Sequence, residues 1–493
     1  MQESTEMKKK QLNLHASAAF LLALLLLIPA FSACGEKPVD PAGDTTLSAD
    51  TQPVSGDGTE ENTDFYRNID KTKKFDGAFR VLSYDAKTWN IFLTSGEENG
   101  SLLDDAAFRR NCEVEEMLGV TVATMLFPQG DLIQKIQTVN SSGSPDDAYD
   151  LVCFWATTNL VSLITTGAVE DWRSLGSVNL SEKWYNQSAN EAFMFNGKQY
   201  IAVSDLTYPV QQHFRFLCNL ELLAGLNLAT PYSLVDSGNW TVDELLNYTK
   251  NVYSDLDGSG TKTVNDRYGL AITVNGTSRF INNWDQSPVR MSSDGFVFNL
   301  NGELLQNMVE KMNEVQTSPD TWTYPNVDYT VFNEGRALLE VYSSDPDQLR
   351  DISFNYAYLP YPKYNADQNE YVTVTHGGIM AVPCCCLDLN RAGAVIEALS
   401  AGSSKYLTDA FIETYFNSRI LRDADSVRMY RLMRDTAYFD VARYVDPSGK
   451  LSGLSYYTSM LKNGNTDLSR QYSTEGQAIV KNYIALWEGL KGS

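Results

Sequence analysis

Short apolar runs and amphipathic stretches alternate along the chain from about residue 75. Residues 78–84 read as a strand, 104–118 as a helix, 120–126 as a second strand and 132–139 as a second helix. A near-continuous apolar run at 148–155 follows, then a helical stripe at 160–166. Alternation of a two-residue period with a period of about 3.6 predicts an α/β fold, a parallel sheet covered by helices. Farther on, Asn196-Gly197 marks a hairpin turn. Residues 215–219 and 336–342 read as strands, 220–225 and 304–315 as helices, 329–335 as a helix or turn, and 376–383 as a buried strand. From 391 to 490 the pattern is mostly amphipathic helix, and no internal repeat occurs. Ligands of such sheets bind beyond the carboxyl ends of strands. That makes Tyr84, Asp85 and Trp155 the first candidate site residues.

The N-terminal stretch follows a different logic. Lys8-Lys9-Lys10 precede an apolar run at 16–30 and then Phe31-Ser32-Ala33-Cys34-Gly35. A positive segment, a short apolar segment and small residues in that order describe an export signal, too short and wrongly flanked to span a bilayer. The ending resembles a bacterial lipobox, which makes residues 1–33 a lipoprotein signal peptide and Cys34 the lipid-modified first residue of the mature chain. Phe31 stands where Leu is usual. Residues 34–74 are rich in Pro, Gly, Asp, Ser and Thr and are expected to form a disordered tether.

Composition narrows the function classes. A chain of 493 residues with 43% hydrophobic and 11% aromatic content is globular and long enough for two or three domains. Its formal charge of -23 argues against nucleic acid and anionic headgroups as partners. Six cysteines follow Cys34 without CxxC or zinc spacing, and the run Cys384-Cys385-Cys386 reads mostly as small buried hydrophobes. Neither GxSxG nor HExxH occurs, so an enzyme is not expected.

One stretch carries metal grammar. Thr241, three positions before Glu244, has capping-box spacing and opens a helix after Trp240, which reads as core. The helix leads into a loop in which Asp255, Asp257, Ser259, Thr261, Thr263 and Asp266 offer oxygens around Gly260. A hard cation wants six to eight oxygens from one short segment, which points to a structural Ca2+. Asp266 stands where a longer Glu would close a calcium loop, and no second helix follows; a solvated Asp/Gly turn is the plainer alternative. No cofactor is required.

The order of landmarks resembles the extracellular solute-binding proteins of ABC importers, in the group of maltodextrin-binding protein. The matching segments are Tyr149-Asp150 through Trp155, Gly167 through Trp172, and Asn196-Gly197-Lys198 through Val203. They continue with Asn219 through Leu223, Trp240 with its helix, Phe332 through Leu338, and Gly377 through Pro383. The resemblance implies a two-lobed, type II periplasmic-binding-protein-like fold with mixed sheets, helices over them and a hinge between lobes. Lobe I would take 75–205 plus 340–404 and lobe II 206–339 plus 405–493. By position it makes Trp155 the sugar-stacking indole, Tyr342 and Trp284 further aromatic walls, Asp205 and Tyr208 neighbours of the first crossing, and His376 a neighbour of the returning strand. Asp85 and Asp205 are candidate hydroxyl acceptors.

The expected function is capture of a mono- or oligosaccharide between the lobes and delivery to ABC permease subunits. The expected setting is the extracellular face of the cell membrane, with a monomer held there through lipid on Cys34. A peptide, a polyamine or another small polar solute is the alternative ligand class. A secreted hydrolase using paired carboxylates is a third reading.

Overall fold

The computed structural model describes residues 64–84, 97–155, 160–207, 212–326, 328–342, 349–417 and 420–491. All belong to one compact unit, Asn62–Ser493. Cys34, Asp85 and Tyr208 lie outside the described residues, as do the signal peptide and the tether up to residue 63. No helix among those described is long and apolar enough to cross a membrane.

The first stretch runs β1 (Ala78–Tyr84), α1 (Leu102–Leu118), β2 (Thr121–Phe127), α2 (Gln129–Ser142), β3 (Leu151–Trp155) and α3 (Leu160–Thr165). After a crossing come β4 (Gln212–His213), β5 (Arg215–Asn219), α4 (Val242–Thr249), β6 (Tyr268–Thr273) and α5 (Val274–Ser278). Next are β7 (Thr321–Tyr324), β8 (Ala337–Tyr342) and β9 (Tyr356–Leu359). The chain returns through β10 (Thr373–His376) and β11 (Gly378–Ala381) to α6 (Leu389–Asn417), α7 (Ala424–Asp435), β12 (Ala437–Phe439) and α8 (Ala442–Val445).

Three sheets organise the lobes. The first has the order β11-β3-β1-β2, with β1 parallel to β2 and β3, and β11 antiparallel to β3. The second has the order β7-β6-β8-β5-β9, with β6 parallel to both neighbours and β5 antiparallel to both of its own. A smaller sheet, β12-β10-β4, lies at the crossings. Strands β3, β5 and β8 are buried nearly throughout, which is why they read as continuous apolar runs.

Local signals place the ends of these elements. Ser101 accepts a hydrogen bond from the Asp104 amide and starts α1. Gly119 stops it in the left-handed region at φ 72°, and a Cβ there would lie 2.9 Å from the Phe75 carbonyl oxygen. Thr241 receives the Glu244 amide at the start of α4. Trp240 is fully buried, its indole N–H donating to the Pro360 carbonyl oxygen at 3.0 Å. Trp240→Phe keeps most of the packing but orphans that carbonyl. An unfolding free energy lower by about 1–2 kcal/mol is expected in denaturant titration.

The structure corrects several expectations. Order begins by Asp64, not Phe75: Tyr66 and Ile69 are buried, and Asn68 donates to both Glu182 and Glu397. These apolar anchors dock the end of the supposed tether. The boundary at 340 also moves, because β8 and β9 hydrogen-bond with β5 and keep 340–359 in the second lobe. Helix α6 packs on α1 and runs unbroken past 405, with Lys405 still on Glu113 of α1 and Phe411 and Tyr415 against Tyr430 of α7, so the chain does not switch at 405. Residues 376–383 are not one strand. Gly377 separates β10 from β11, and the two pair in different sheets. A strand, β12, interrupts the helical C-terminal region. Of the cysteine run, Cys384 is exposed and Cys385 and Cys386 half-buried, since the strand ends at Ala381; Cys153 and Cys218 are the buried thiols.

Candidate functional site

The site is built where β3 ends against the crossing strands. Trp155, the last residue of β3, pairs in register with Gly378 of β11, which presents no side chain to it. Its ring meets His376 edge-on, centroids 5.6 Å apart. His376 in turn packs on Phe214 at 5.2 Å. The Arg279 guanidinium, between α5 and the helix Phe280–Asn283, sits 3.7 Å from the centre of the Phe214 ring. A continuous strip thus runs from the first sheet, across the crossing, to the helices of the second.

Strand alternation explains which side chains face this strip. Thr375 pairs with His213 and His376 with Gln212, so His213 and Thr375 point to one face and His376 and Phe214 to the other. Nδ1 of His213 lies 2.8 Å from the Thr375 hydroxyl oxygen. On that reverse face a recess of about 490 Å³ is lined by Asp205, His213, Thr375, Arg434 and Tyr438. A second recess, about 510 Å³, lies between Val161, Ser162 and Thr165 of α3 and Arg443 and Tyr444 of α8.

Electrostatics sets the character of the strip. Burial, reinforced by Arg279, Arg443 and His213, holds His376 well below the usual imidazole range, so its ring is neutral at neutral pH. Burial lowers Arg279 to about 10, which leaves it charged. Asp440 is pushed up to about 6 by burial, against the donors Ala442 and Asn282 and the charge of Arg279.

The sequence candidates separate into groups. Trp155 and His376 come together in the strip. Tyr84, at the end of neighbouring β1, is half-buried. Trp284 is core, 1% exposed, with its indole N–H on the Pro362 carbonyl and its ring against Phe280 and Tyr364. Tyr342 is fully buried beneath Tyr329, ring centroids 3.9 Å apart. Neither therefore forms the open wall expected. Asp205 lies on the reverse face and both its oxygens accept from Arg434, so it is no hydroxyl acceptor in the strip. Phe214, Arg279 and Arg443 escaped the sequence reading. An isolated ring or arginine in a loop or short helix carries no spacing signal.

The calcium-like loop folds as a ring of donors and acceptors. Carboxylate oxygens of Asp255, Asp257 and Asp266 all lie within 4.8 Å of one another. Asp255 accepts from the Gly258 and Gly260 amides, whose φ of 69° and 72° only glycine adopts at little cost. The Thr263 and Ser259 donors hold Asp257 down to about 2. The Ser259 hydroxyl donates to the Thr261 carbonyl. The loop precedes β6, at the end opposite the carboxyl ends of the parallel strands, away from the strip.

No protein-family profile matches the chain, and no curated protein matches it in sequence. Solved structures do match in fold. An extracellular solute-binding protein from Staphylococcus aureus in complex with maltose aligns over 83% of this chain and 98% of its own, with a TM-score of 0.56 and 11% identity. A cyclo/maltodextrin-binding protein complexed with maltotetraose aligns over 83% of this chain and 97% of its own, at 0.54 and 13%. UgpB from Mycobacterium tuberculosis, in complex with glycerophosphocholine, aligns over 84% and 98%, at 0.50 and 15%. The chain has the two-lobed, type II periplasmic-binding-protein fold.

Proposed function

We propose that this chain is a non-enzymatic solute-binding protein that captures a carbohydrate between its lobes and passes it to an ABC permease. The strip Trp155–His376–Phe214 carries the reading: a pyranose presents apolar faces to rings while its hydroxyls need a few oriented polar partners. Two structural neighbours hold maltose and maltotetraose. Closure of the lobes around the ligand by a hinge motion at β4, β10 and β12 would supply the remaining walls.

A thermal-shift screen of residues 35–493 against sugars, peptides and polyamines tests the ligand class. Ligands that bind the folded form raise the melting temperature by mass action. Shifts with mono- or oligosaccharides are expected, and shifts confined to peptides or amines overturn the carbohydrate reading.

Lipid on Cys34 would hold the protein at the extracellular face of the membrane as a monomer. Cys34→Ala is expected to release the chain into the soluble fraction, as immunoblots of fractionated cells would show. A structural calcium ion in the loop Asp255–Asp266 would stiffen the entry to β6 without touching the solute. Calcium is expected to raise the melting temperature of the native chain, and Asp257→Ala to abolish that rise. A melting temperature indifferent to calcium and to chelator removes the ion from the account.

A further inference from the structure

We infer that the solute held in this cleft carries an anionic group, a carboxylate, phosphate or sulfate on a carbohydrate, received by Arg443 and Arg279. The inference rests on the carbohydrate reading above and adds the ligand's charge to it.

The chain has 62 acidic and 39 basic side chains, so an arginine with no acceptor is unexpected. Elsewhere the partly buried arginines find acceptors: Arg67 pairs with Glu182, Arg391 with Asp150 and Arg434 with Asp205, while Arg80 and Arg267 donate to backbone carbonyls. Among the described residues Arg279 and Arg443 have no ion pair, and neither guanidinium donates a hydrogen bond. Arg279 is spread on the Phe214 ring, a contact that fixes its plane and uses none of its N–H groups. Arg443 lines the recess against α3, and its Nε–H is buried without an acceptor.

The neighbouring acids are committed to other donors. Asp440 accepts the Ala442 amide and the Asn282 side chain, bracing the start of α8. Asp446 accepts the amides of Ser448, Leu451 and Ser452 and shapes the turn after α8. The two guanidinium groups repel each other, and both disfavour a charged His376. Holding two like charges in a partly desolvated cleft opposes folding. An anion between them offsets that repulsion, and the guanidinium fork suits the paired oxygens of a carboxylate, phosphate or sulfate. Trp155 and His376 at the other end of the strip would receive the sugar ring.

Calorimetric titration of residues 35–493 with matched pairs tests this: glucose against glucuronate, glucose against glucose 6-phosphate, and a neutral against a uronic oligosaccharide. The acidic member is expected to bind about 10- to 100-fold more tightly, the range of charge-assisted hydrogen bonds, and to lose part of that advantage in high salt. Arg443→Gln should collapse the preference and raise the melting temperature of the ligand-free protein, because one of two repelling charges is gone. A merely structural arginine would lower the melting temperature and leave the ratio intact. Neutral sugars that bind as tightly as their acidic partners overturn the inference while sustaining the carbohydrate reading. If no sugar binds but acidic peptides do, and Arg443→Gln abolishes that, the arginine site stands and the carbohydrate part is overturned.

Discussion

Trp155→Ala is expected to weaken carbohydrate binding about 30- to 100-fold, while the ligand-free protein melts within a few degrees of the native chain. Large aromatic anchors at the centre of a binding site typically cost 2 kcal/mol or more on truncation. Trp155 has the features of such an anchor. It closes β3 at the carboxyl edge of the sheet, is half-buried, and sits opposite Gly378 of β11, which has no side chain to lay over it. The stability cost stays small because the indole is only half-buried, and its edge-on contact with His376 is of a kind worth about 0.5–1.5 kcal/mol. Trp155→Phe should retain much of the affinity by keeping a flat apolar face. Titration of the three proteins with the sugar found in the screen decides the matter, and equal affinities would remove Trp155 from the site.

The sequence made individual strands legible where burial on both faces leaves unbroken apolar runs, as at Leu151–Trp155 of the first sheet and Ala337–Tyr342 of the second. Lobe membership was not legible. Whether 340–359 belongs with the first or second sheet depends on β9 pairing with β5 about 140 residues earlier, a long-range contact that local pattern does not encode. The break at Gly377 was hidden for the same reason: one apolar stretch serves two sheets. At the site, Trp155 could be found because strand end and indole coincide. Tyr342 and Trp284 have equally suggestive positions, yet Tyr329 covers the one and Phe280 with Tyr364 enclose the other. An aromatic residue reads alike in sequence whether it caps a core or faces a ligand.

Arg434→Met is expected to cost about 3–5 kcal/mol of stability at neutral pH, more than any other single change considered, because it leaves the Asp205 carboxylate buried and unpaired. Nη2 of Arg434 lies 2.9 and 3.0 Å from the two Asp205 oxygens, and Asp205 is only 7% exposed. The pair ties the start of the first crossing to α7, which packs on β9 of the second sheet. Asp205 titrates above the usual carboxylate range because burial outweighs the attraction of Arg434. Removing Arg434 leaves burial opposed mainly by the Ser404 hydrogen bond, so the carboxyl group rises further. A carboxyl group whose folded value is raised binds its proton more readily when folded, so stability falls as pH rises through that folded value. The deficit of Arg434→Met should therefore be largest at neutral pH and shrink in acid, as Asp205 becomes neutral. Asp205→Asn combined with Arg434→Met should recover most of the loss, since no buried charge remains. Denaturant titrations of the native chain and both variants at neutral and acidic pH measure this directly. A deficit that is constant or grows in acid would show that the pair acts through packing of the arginine stem and not through its charge.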